Sequence, residues 1–438
     1  MSTINREAYP LDARRNFIAF CMDLTTAMAG LSFVPATIVL VGLASRFTEN
    51  KVLLGVVAMI GSVSWLLPQL FAARMVHGKK HQRPYMVIPL VIGRNTYLLM
   101  AIWLYVTRAQ DPVLTLWLLI GSVAVFFITD SLASVAWFDI LSRVLSARAR
   151  GRSLAIGSFI GLIAGIGSGL IVERVLSPSG PPFPTNYAVI FLCAWVCFQS
   201  SSIAILCIKE TPMSEQEHAH TAESNFVNNL LTVVRTDRLM QRLILARVFT
   251  GIETMAAAFY VVFIRERLGL GDAILGVFSI ASVAGGILGT AFFGWLADRR
   301  GSRSVIHFSV ALQVIAPVLA LTVAAFPAIP TETPWLATGF FIVVIAINGA
   351  VGQAGLLGFQ GYPLDVAPER YRAMYVGVLN SVSGVVSLTP LLGGLLLEAL
   401  TKSASSATAY SVVFVIAAVC VVAGMFISFG LPKPVRSK

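Results

Sequence analysis

Charge is scarce in this sequence. Only 12% of its 438 residues are Asp, Glu, Lys or Arg, against roughly 25% in an ordinary soluble domain. A soluble chain of this size could bury a large core, but it would need a polar surface to cover that core. Too few charges are present to supply one. Cysteine is rare as well. The five, Cys21, Cys193, Cys197, Cys207 and Cys420, all lie in apolar stretches, which excludes a disulfide framework and a cysteine zinc site. His218 and His220 share a polar tract that holds nothing else to complete a metal site. A glycine-lysine phosphate loop is absent, so ATP hydrolysis is not the expected energy source and no cofactor is expected.

What is abundant is apolar. Hydrophobic residues make up 57% of the chain and the mean hydropathy is +0.81. The bilayer is the natural solvent for such a composition. Twelve apolar runs can be placed, at about 16–43, 52–73, 85–107, 112–141, 153–175, 187–208, 241–264, 272–296, 305–327, 335–360, 372–398 and 405–430. Each reaches the roughly 20 residues that cross a hydrocarbon core. The first follows Arg14 and Arg15 and is too long for a signal peptide, so it reads as a span. The expected class is therefore an all-α polytopic membrane protein of the cell membrane.

The formal charge of +11 does not point to nucleic acid, because the basic residues sit in short clusters between apolar runs. With the N-terminus inside, 23 Lys and Arg fall on the inner side, 7 on the outer side and 2, Arg94 and Arg247, within spans. That bias places both termini in the cytoplasm. Six runs precede a polar tract, "KETPMSEQEHAHTAESN", and six follow it. The expected organisation is a six-helix half at 1–208, a cytoplasmic linker at 209–240 and a second six-helix half at 241–438. A register of 221 residues places Gly55-Val56 on Gly276-Val277, Leu67 on Leu288 and Phe71 on Phe292, and "MAGLSFV" from Met28 is similar to "MAAAFYV" from Met255. An even number of spans per half gives two repeats of the same orientation, with a cavity between them.

The segment "GWLADRRGSR", Gly294 to Arg303, follows the eighth run. It resembles the cytoplasmic-loop signature of the major facilitator superfamily, in which Gly294, Asp298, Arg299, Gly301 and Arg303 match and Ser302 departs from a position often basic. Gly294 is expected to let helices approach closely, Asp298 to cap or pair, and Gly301 to permit the turn. The arginines can equally serve as plain topology anchors beside anionic lipid. The resemblance implies the major facilitator fold, about twelve helices in two six-helix halves, and a latch role for this loop. The first-half copy, "AARMVHGKKHQRP", places Ala73, His77 and Lys80 where Gly294, Asp298 and Gly301 stand, so the motif there is degenerate. "ARARGRS" after the fourth run and "LDVAPERYRAMYVG" after the tenth also resemble the family. Asp365, Glu369, Arg370 and Arg372 are spaced to form gate pairs, or an ordinary helix cap. The fifth run carries a ladder, Gly157, Gly161, Gly165 and Gly169, but no proline. It lacks the glycine-proline pattern of the drug/proton antiporters, and the fourth run lacks their arginine-glutamine pattern, offering Asp130 instead.

Five ionisable residues stand inside apolar runs: Asp23, Arg94, Asp130, Arg247 and Glu253. Facing lipid each would be costly, so each should face the bundle interior or water. A carboxylate at such depth can take up and release a proton, or it can form an ion pair that holds helices together; Asp130 with Arg94 or Asp23 is one such pair. Arg94 can pair in this way or meet an anionic substrate, and Arg247 is shallow enough to snorkel. Asp139 is placed to pair with Arg143, and His307 reads as a core or interface histidine. Trp137, Tyr260, Gln353, Gln360 and Asn380 are further lining candidates. The functional expectation is a secondary transporter, working as a monomer, that moves a small organic solute with proton coupling. A lipid flippase and a non-transporting receptor or scaffold are the alternatives.

Overall fold

The computed structural model describes residues 10–76, 79, 81–210, 237–326, 328–366 and 372–432. The linker tract with His218 and His220, the positions His77 and Lys80, and Glu369 and Arg370 lie outside the described residues. Every regular element among those described is helical. Eleven helices are long and apolar enough to cross a membrane, and a twelfth apolar segment, Lys51–Leu66, is shorter. The protein is an all-α polytopic membrane protein.

The second run does not form one continuous helix. It is split into Lys51–Leu66 and Gln69–Val76, and Pro68 explains the split. Proline disfavours the helical conformation in the residue before it and cannot donate to the turn before it. The first segment breaks likewise at Pro35, between Pro10–Phe33 and the short pieces Ala36–Leu40 and Val41–Ala44, the former a π-helical turn. The seventh is in three pieces, Arg238–Gly251, Thr254–Ala257 and Tyr260–Leu268. The tenth runs Pro334–Gly355, a second π-helical turn at Leu356–Gln360, and Gly361–Val366. The eleventh is Arg372–Val386 followed by Thr389–Leu400. The others are single helices: Arg83–Thr107, Pro112–Val144, Ala147–Leu176, Thr185–Leu206, Ile274–Arg300, Ser302–Ala325 and Ser406–Phe429.

Ordinary capping chemistry sets several of the starts. Asp111 precedes Pro112, whose fixed φ suits a first turn, and its Oδ1 accepts from Leu114 N at 2.9 Å. Asp237 does the same for Arg238–Gly251, accepting from Leu239 N at 2.8 Å.

The chain divides into two compact units. The first comprises 1–34, 64–175 and 179–222, and the second 35–63, 176–178 and 223–438. Residues 35–63 thus pack with the second unit although they precede the linker. Backbone proximity made possible by small residues holds them there. A Cβ at Gly55 would meet Pro390 O at 2.4 Å, and one at Gly394 would meet Lys51 O at 2.4 Å. The same device closes the eighth segment on the tenth, where a Cβ at Gly285 would meet Ala346 O at 1.9 Å. In lipid, where burial gives no hydrophobic gain, this close van der Waals approach is a main source of association.

Each unit has an aromatic core. In the first, Tyr97 stacks on Phe126 at 4.6 Å between centroids and meets Phe191 and Phe198. In the second, Phe263 meets Tyr410 and Phe414 at 5.0 and 5.4 Å. The register-matched residues Leu67, Phe71, Leu288 and Phe292 are all exposed apolar side chains, as expected for positions that face lipid.

Candidate functional site

In the first unit, the fifth segment lies against the first and fixes where Asp23 stands. A Cβ at Gly157 would be 3.0 Å from Cys21 O, and one at Gly161 would be 2.8 Å from Met28 Cβ. Thr25 Oγ1 donates to Gly157 O at 3.1 Å. Two rungs of the glycine ladder therefore bring the fifth segment onto the stretch of the first that carries Asp23.

Asp23 is buried, 4% exposed, as is Arg94. Their charged groups meet at 3.7 Å. Asp23 Oδ2 accepts from Trp137 Nε1 at 2.7 Å, and Oδ1 accepts from the Ser201 hydroxyl. Arg94 Nη1 donates to Ser202 Oγ at 2.7 Å and to Phe198 O at 3.2 Å. Four segments, the first, third, fourth and sixth, converge on this pair. The sequence reading paired Asp130 with Arg94 or with Asp23; the structure instead pairs Arg94 with Asp23. Arg94 Nε is buried and has no hydrogen-bond partner among the described residues.

Asp130 is only partly buried. It lies within electrostatic reach of both Arg94 and Asp23. Its position comes from the crossing of the third and fourth segments, where a Cβ at Gly93 would run into Thr129 Oγ1. The first unit thus holds two carboxylates and one guanidinium at depth.

In the second unit, Glu253 stands in the break of the seventh segment and is 4% exposed. Tyr260 OH donates to its Oε1 at 3.1 Å. Gln313 Nε2 donates to its Oε2 at 3.4 Å and to Thr250 O at 3.1 Å. Among the described residues it has no cationic partner within ion-pair distance. Arg247 is held apart from it, donating to Ser383 Oγ at 2.9 Å and resting 5.2 Å from the Phe359 ring centroid. Gln360 Nε2 donates to Asn380 Oδ1 at 3.4 Å, joining two of the lining candidates.

The loop after the eighth segment turns at Gly301, whose φ of 81° is open to glycine at little cost. Asp298 is exposed and makes no ion pair or hydrogen bond with a described residue. Arg299 stacks on Trp295 at 5.2 Å. Arg303 Nη2 donates to Phe429 O at 3.2 Å, and Ser302 donates to Asp365. Arg372 opens the helix Arg372–Val386. The expectation for Gly294 is corrected: a Cβ there would meet nothing within 4 Å, because the helix contact falls earlier in the same helix, at Gly285 and Gly289. His307 reads as an interface histidine, its Nε2 hydrogen-bonded with Ser428 O at 2.8 Å.

Two charged clusters went beyond the sequence reading, which had placed only Asp139 with Arg143. In the second unit, Asp272 lies between Arg46, at 2.9 Å, and Arg265, while Lys51 pairs with Glu266 at 2.5 Å. Tyr410 OH donates to Glu266 Oε2 at 3.1 Å, and Lys51 N to Glu398 Oε2 at 3.2 Å. A cavity of about 810 Å³ opens beside these groups. In the first unit, Glu210 accepts from Gln82 N at 2.7 Å and from Arg83 N at 3.1 Å, and pairs with Arg143 at 3.2 Å. It caps the start of the third segment while Arg143 also binds Asp139 at 3.0 Å. Their signal was acids and bases next to span ends, and composition alone could not separate them from ordinary loop charge.

Likeness to known proteins lies in the fold more than in the sequence. No curated protein matches the sequence. A mutant form of the nucleoside transporter NupG has a TM-score of 0.68 at 12% identity, over 95% of this chain and 100% of that one. A bacterial homologue of the human lysosomal transporter Spinster, inward-facing and occupied, has a TM-score of 0.62 at 13% identity, over 97% and 96%. A bacterial homologue of the iron transporter ferroportin, inward-facing, has a TM-score of 0.61 at 15% identity, over 97% and 99%. Residues 243–438 match the Major Facilitator Superfamily sequence profile. The family match thus covers the second half of the chain, and the likeness to solved transporters shows a shared fold over nearly its whole length.

Proposed function

We propose that the protein is a secondary transporter that moves a small organic solute across the cell membrane by alternating access, driven by proton coupling. The observation that carries this reading is the set of deep charges: Asp23 with Arg94, Asp130 beside them, and Glu253 with only neutral donors. Charge inside a membrane is costly and is retained where it serves a pathway, a relay or a pairing. Asp23 has the pairing role. Asp130 and Glu253 remain to carry a proton or meet a solute. Protonation of such a group removes its charge and changes which conformations it can occupy, which is how an ion gradient biases a two-state equilibrium. The Major Facilitator Superfamily match over residues 243–438 and the transporters that share its fold support the same class.

The finer organisation follows the sequence. The two six-helix halves, 1–208 and 241–438, are joined by a cytoplasmic linker, with both termini on the cytoplasmic side. Asp298 and its loop act as a latch on one conformation, and the protein works as a monomer. The test is transport in proteoliposomes of a solute found by an unbiased screen. With membrane potential clamped, an imposed proton gradient should drive uptake. The response should be lost in Asp130→Asn or in Glu253→Gln. A wild-type flux indifferent to the proton gradient contradicts coupling; full proton dependence in both variants removes these two acids from that role.

A further inference from the structure

A cavity of about 420 Å³ opens in the first unit, lined by His81, Arg83, Pro84, Lys209 and Glu210. Its walls are fixed by hydrogen bonds. Buried Asn16 holds the backbone of Lys209 twice, its Nδ2 donating to Lys209 O at 3.0 Å and its Oδ1 accepting from Lys209 N at 2.9 Å. Arg83 Nη2 donates to Leu206 O at 2.7 Å and so ties the start of the third segment to the end of the sixth. The one acid in the lining, Glu210, is already satisfied: its side chain is 6% exposed, and its oxygens take Gln82 N, Arg83 N and the Arg143 guanidinium. The bases are not matched in this way. Among the described residues the Arg83 guanidinium meets a carbonyl and no carboxylate. Lys209 Nζ meets Asp12 at 2.8 Å, but Lys209 is 55% exposed, and an exposed pair is worth little in water. The positive charge of the cavity is therefore open to an anion. Beside it the surface is apolar. Leu206, whose carbonyl takes the Arg83 hydrogen bond, is exposed, as are Ile203 one turn earlier and Ile88 on the third segment. The proposed orientation puts this end of the segments on the cytoplasmic side, where basic pockets between helices meet anionic lipid.

We propose that this cavity binds the phosphate headgroup of an anionic phospholipid. The phosphate meets Arg83 and Lys209 through charge-assisted hydrogen bonds, with His81 at the exposed rim, and the acyl chains run along Ile88, Ile203 and Leu206. The end of the third helix is not the attraction, because its first N–H groups already serve Glu210. A zwitterionic lipid brings the same phosphate with a cation that Arg83 and Lys209 repel. A soluble phosphate ester lacks the chains that the apolar side chains would hold. The site is independent of the transport reading, and the failure of either leaves the other standing.

The test is titration of the purified full-length protein in detergent, read by native mass spectrometry, with three probes: dioleoyl phosphatidylglycerol, dioleoyl phosphatidylcholine and glycerol 3-phosphate. One saturable site is expected for phosphatidylglycerol, with phosphatidylcholine about tenfold weaker and glycerol 3-phosphate unable to compete. A basic side chain beside anionic lipid is worth about fivefold in affinity, so Arg83→Gln and Lys209→Gln should each weaken phosphatidylglycerol binding by about that factor. Arg148→Gln removes the same charge from an exposed position in Ala147–Leu176, outside the cavity, and should bind as the wild type does. Circular dichroism and gel filtration establish that each variant is folded; should Arg83→Gln fail them, the exposed Lys209→Gln and the ranking of lipids on the wild type decide the matter. Equal affinity for the two lipids overturns the proposal, as does unchanged binding in a folded Arg83→Gln or Lys209→Gln. A loss in Arg148→Gln as large as theirs would show diffuse charge attraction and no built site. Full competition by glycerol 3-phosphate would give the cavity to a soluble phosphate ester and overturn the lipid assignment.

Discussion

At the scale of single residues, the feature with the largest energetic consequence is the buried Asp23–Arg94 pair. Removing one member of a buried pair strands the other charge and costs about 3–5 kcal/mol. Arg94→Met should therefore destabilise the protein by about that amount, as read from denaturation in detergent. The double variant Asp23→Asn, Arg94→Met should lose clearly less than the sum of the two single losses, because neighbours in one network are not additive. Strictly additive losses would show that the two do not interact. The sequence made these residues visible, since charge in an apolar run stands out. It could not say that Arg94 prefers Asp23 to Asp130, because that choice depends on which faces of the first, third and fourth segments meet. Ser201 and Trp137 were hidden for the same reason: a serine or tryptophan in an apolar helix has no signature until its neighbour is known.

At the scale of elements, the apolar runs predicted the segments well and their interruptions poorly. Hydropathy reports the bilayer-facing composition of a run and is blind to a local break of two or three residues. Pro35, Pro68 and Pro390 mark breaks in the first, second and eleventh segments, whereas Pro89 and Pro317 sit inside continuous helices, so proline alone does not locate them. The break at Ile252–Glu253 carries no proline at all and holds a buried acid whose hydrogen-bond partners are neutral. Close helix approach was likewise assigned to Gly294 when Gly285 and Gly289 provide it. One clamp between elements is open to direct test. Asp272 is 4% exposed in its side chain and holds Arg46 and Arg265 together, fastening the loop after the first segment to the loop after the seventh. Asp272→Asn leaves two guanidinium groups side by side with no shared anion. Hydrogen exchange in residues 45–51 and 265–272 should accelerate by roughly tenfold in that variant, because local opening no longer breaks an ion pair. Unchanged exchange at both loops would show that the glycine contacts at Gly55 and Gly394 hold the segment without it.

At the scale of the whole molecule, composition already placed the chain in a bilayer, and the basic-residue bias is the ground for the proposed orientation. Reporter fusions after residues 220 and 435 should both read cytoplasmic; an external signal at 220 would contradict the proposed topology. The placement of residues 35–63 with the second unit was not legible, because the linker is the only compositional boundary in the chain and packing need not follow it. The central claim concerns the kind of transport. A carrier that works by alternating access exposes its site to one side at a time, so its flux saturates and is accelerated by solute on the opposite side. A channel shows neither property, and a lipid flippase exchanges leaflets without moving a soluble solute. Counterflow in proteoliposomes separates these directly. With liposomes preloaded with unlabelled transported solute, uptake of trace labelled solute is predicted to overshoot equilibrium transiently and to saturate with concentration. A linear, non-saturating flux with no stimulation from the far side, or leaflet exchange of lipid without any counterflow, would contradict the account.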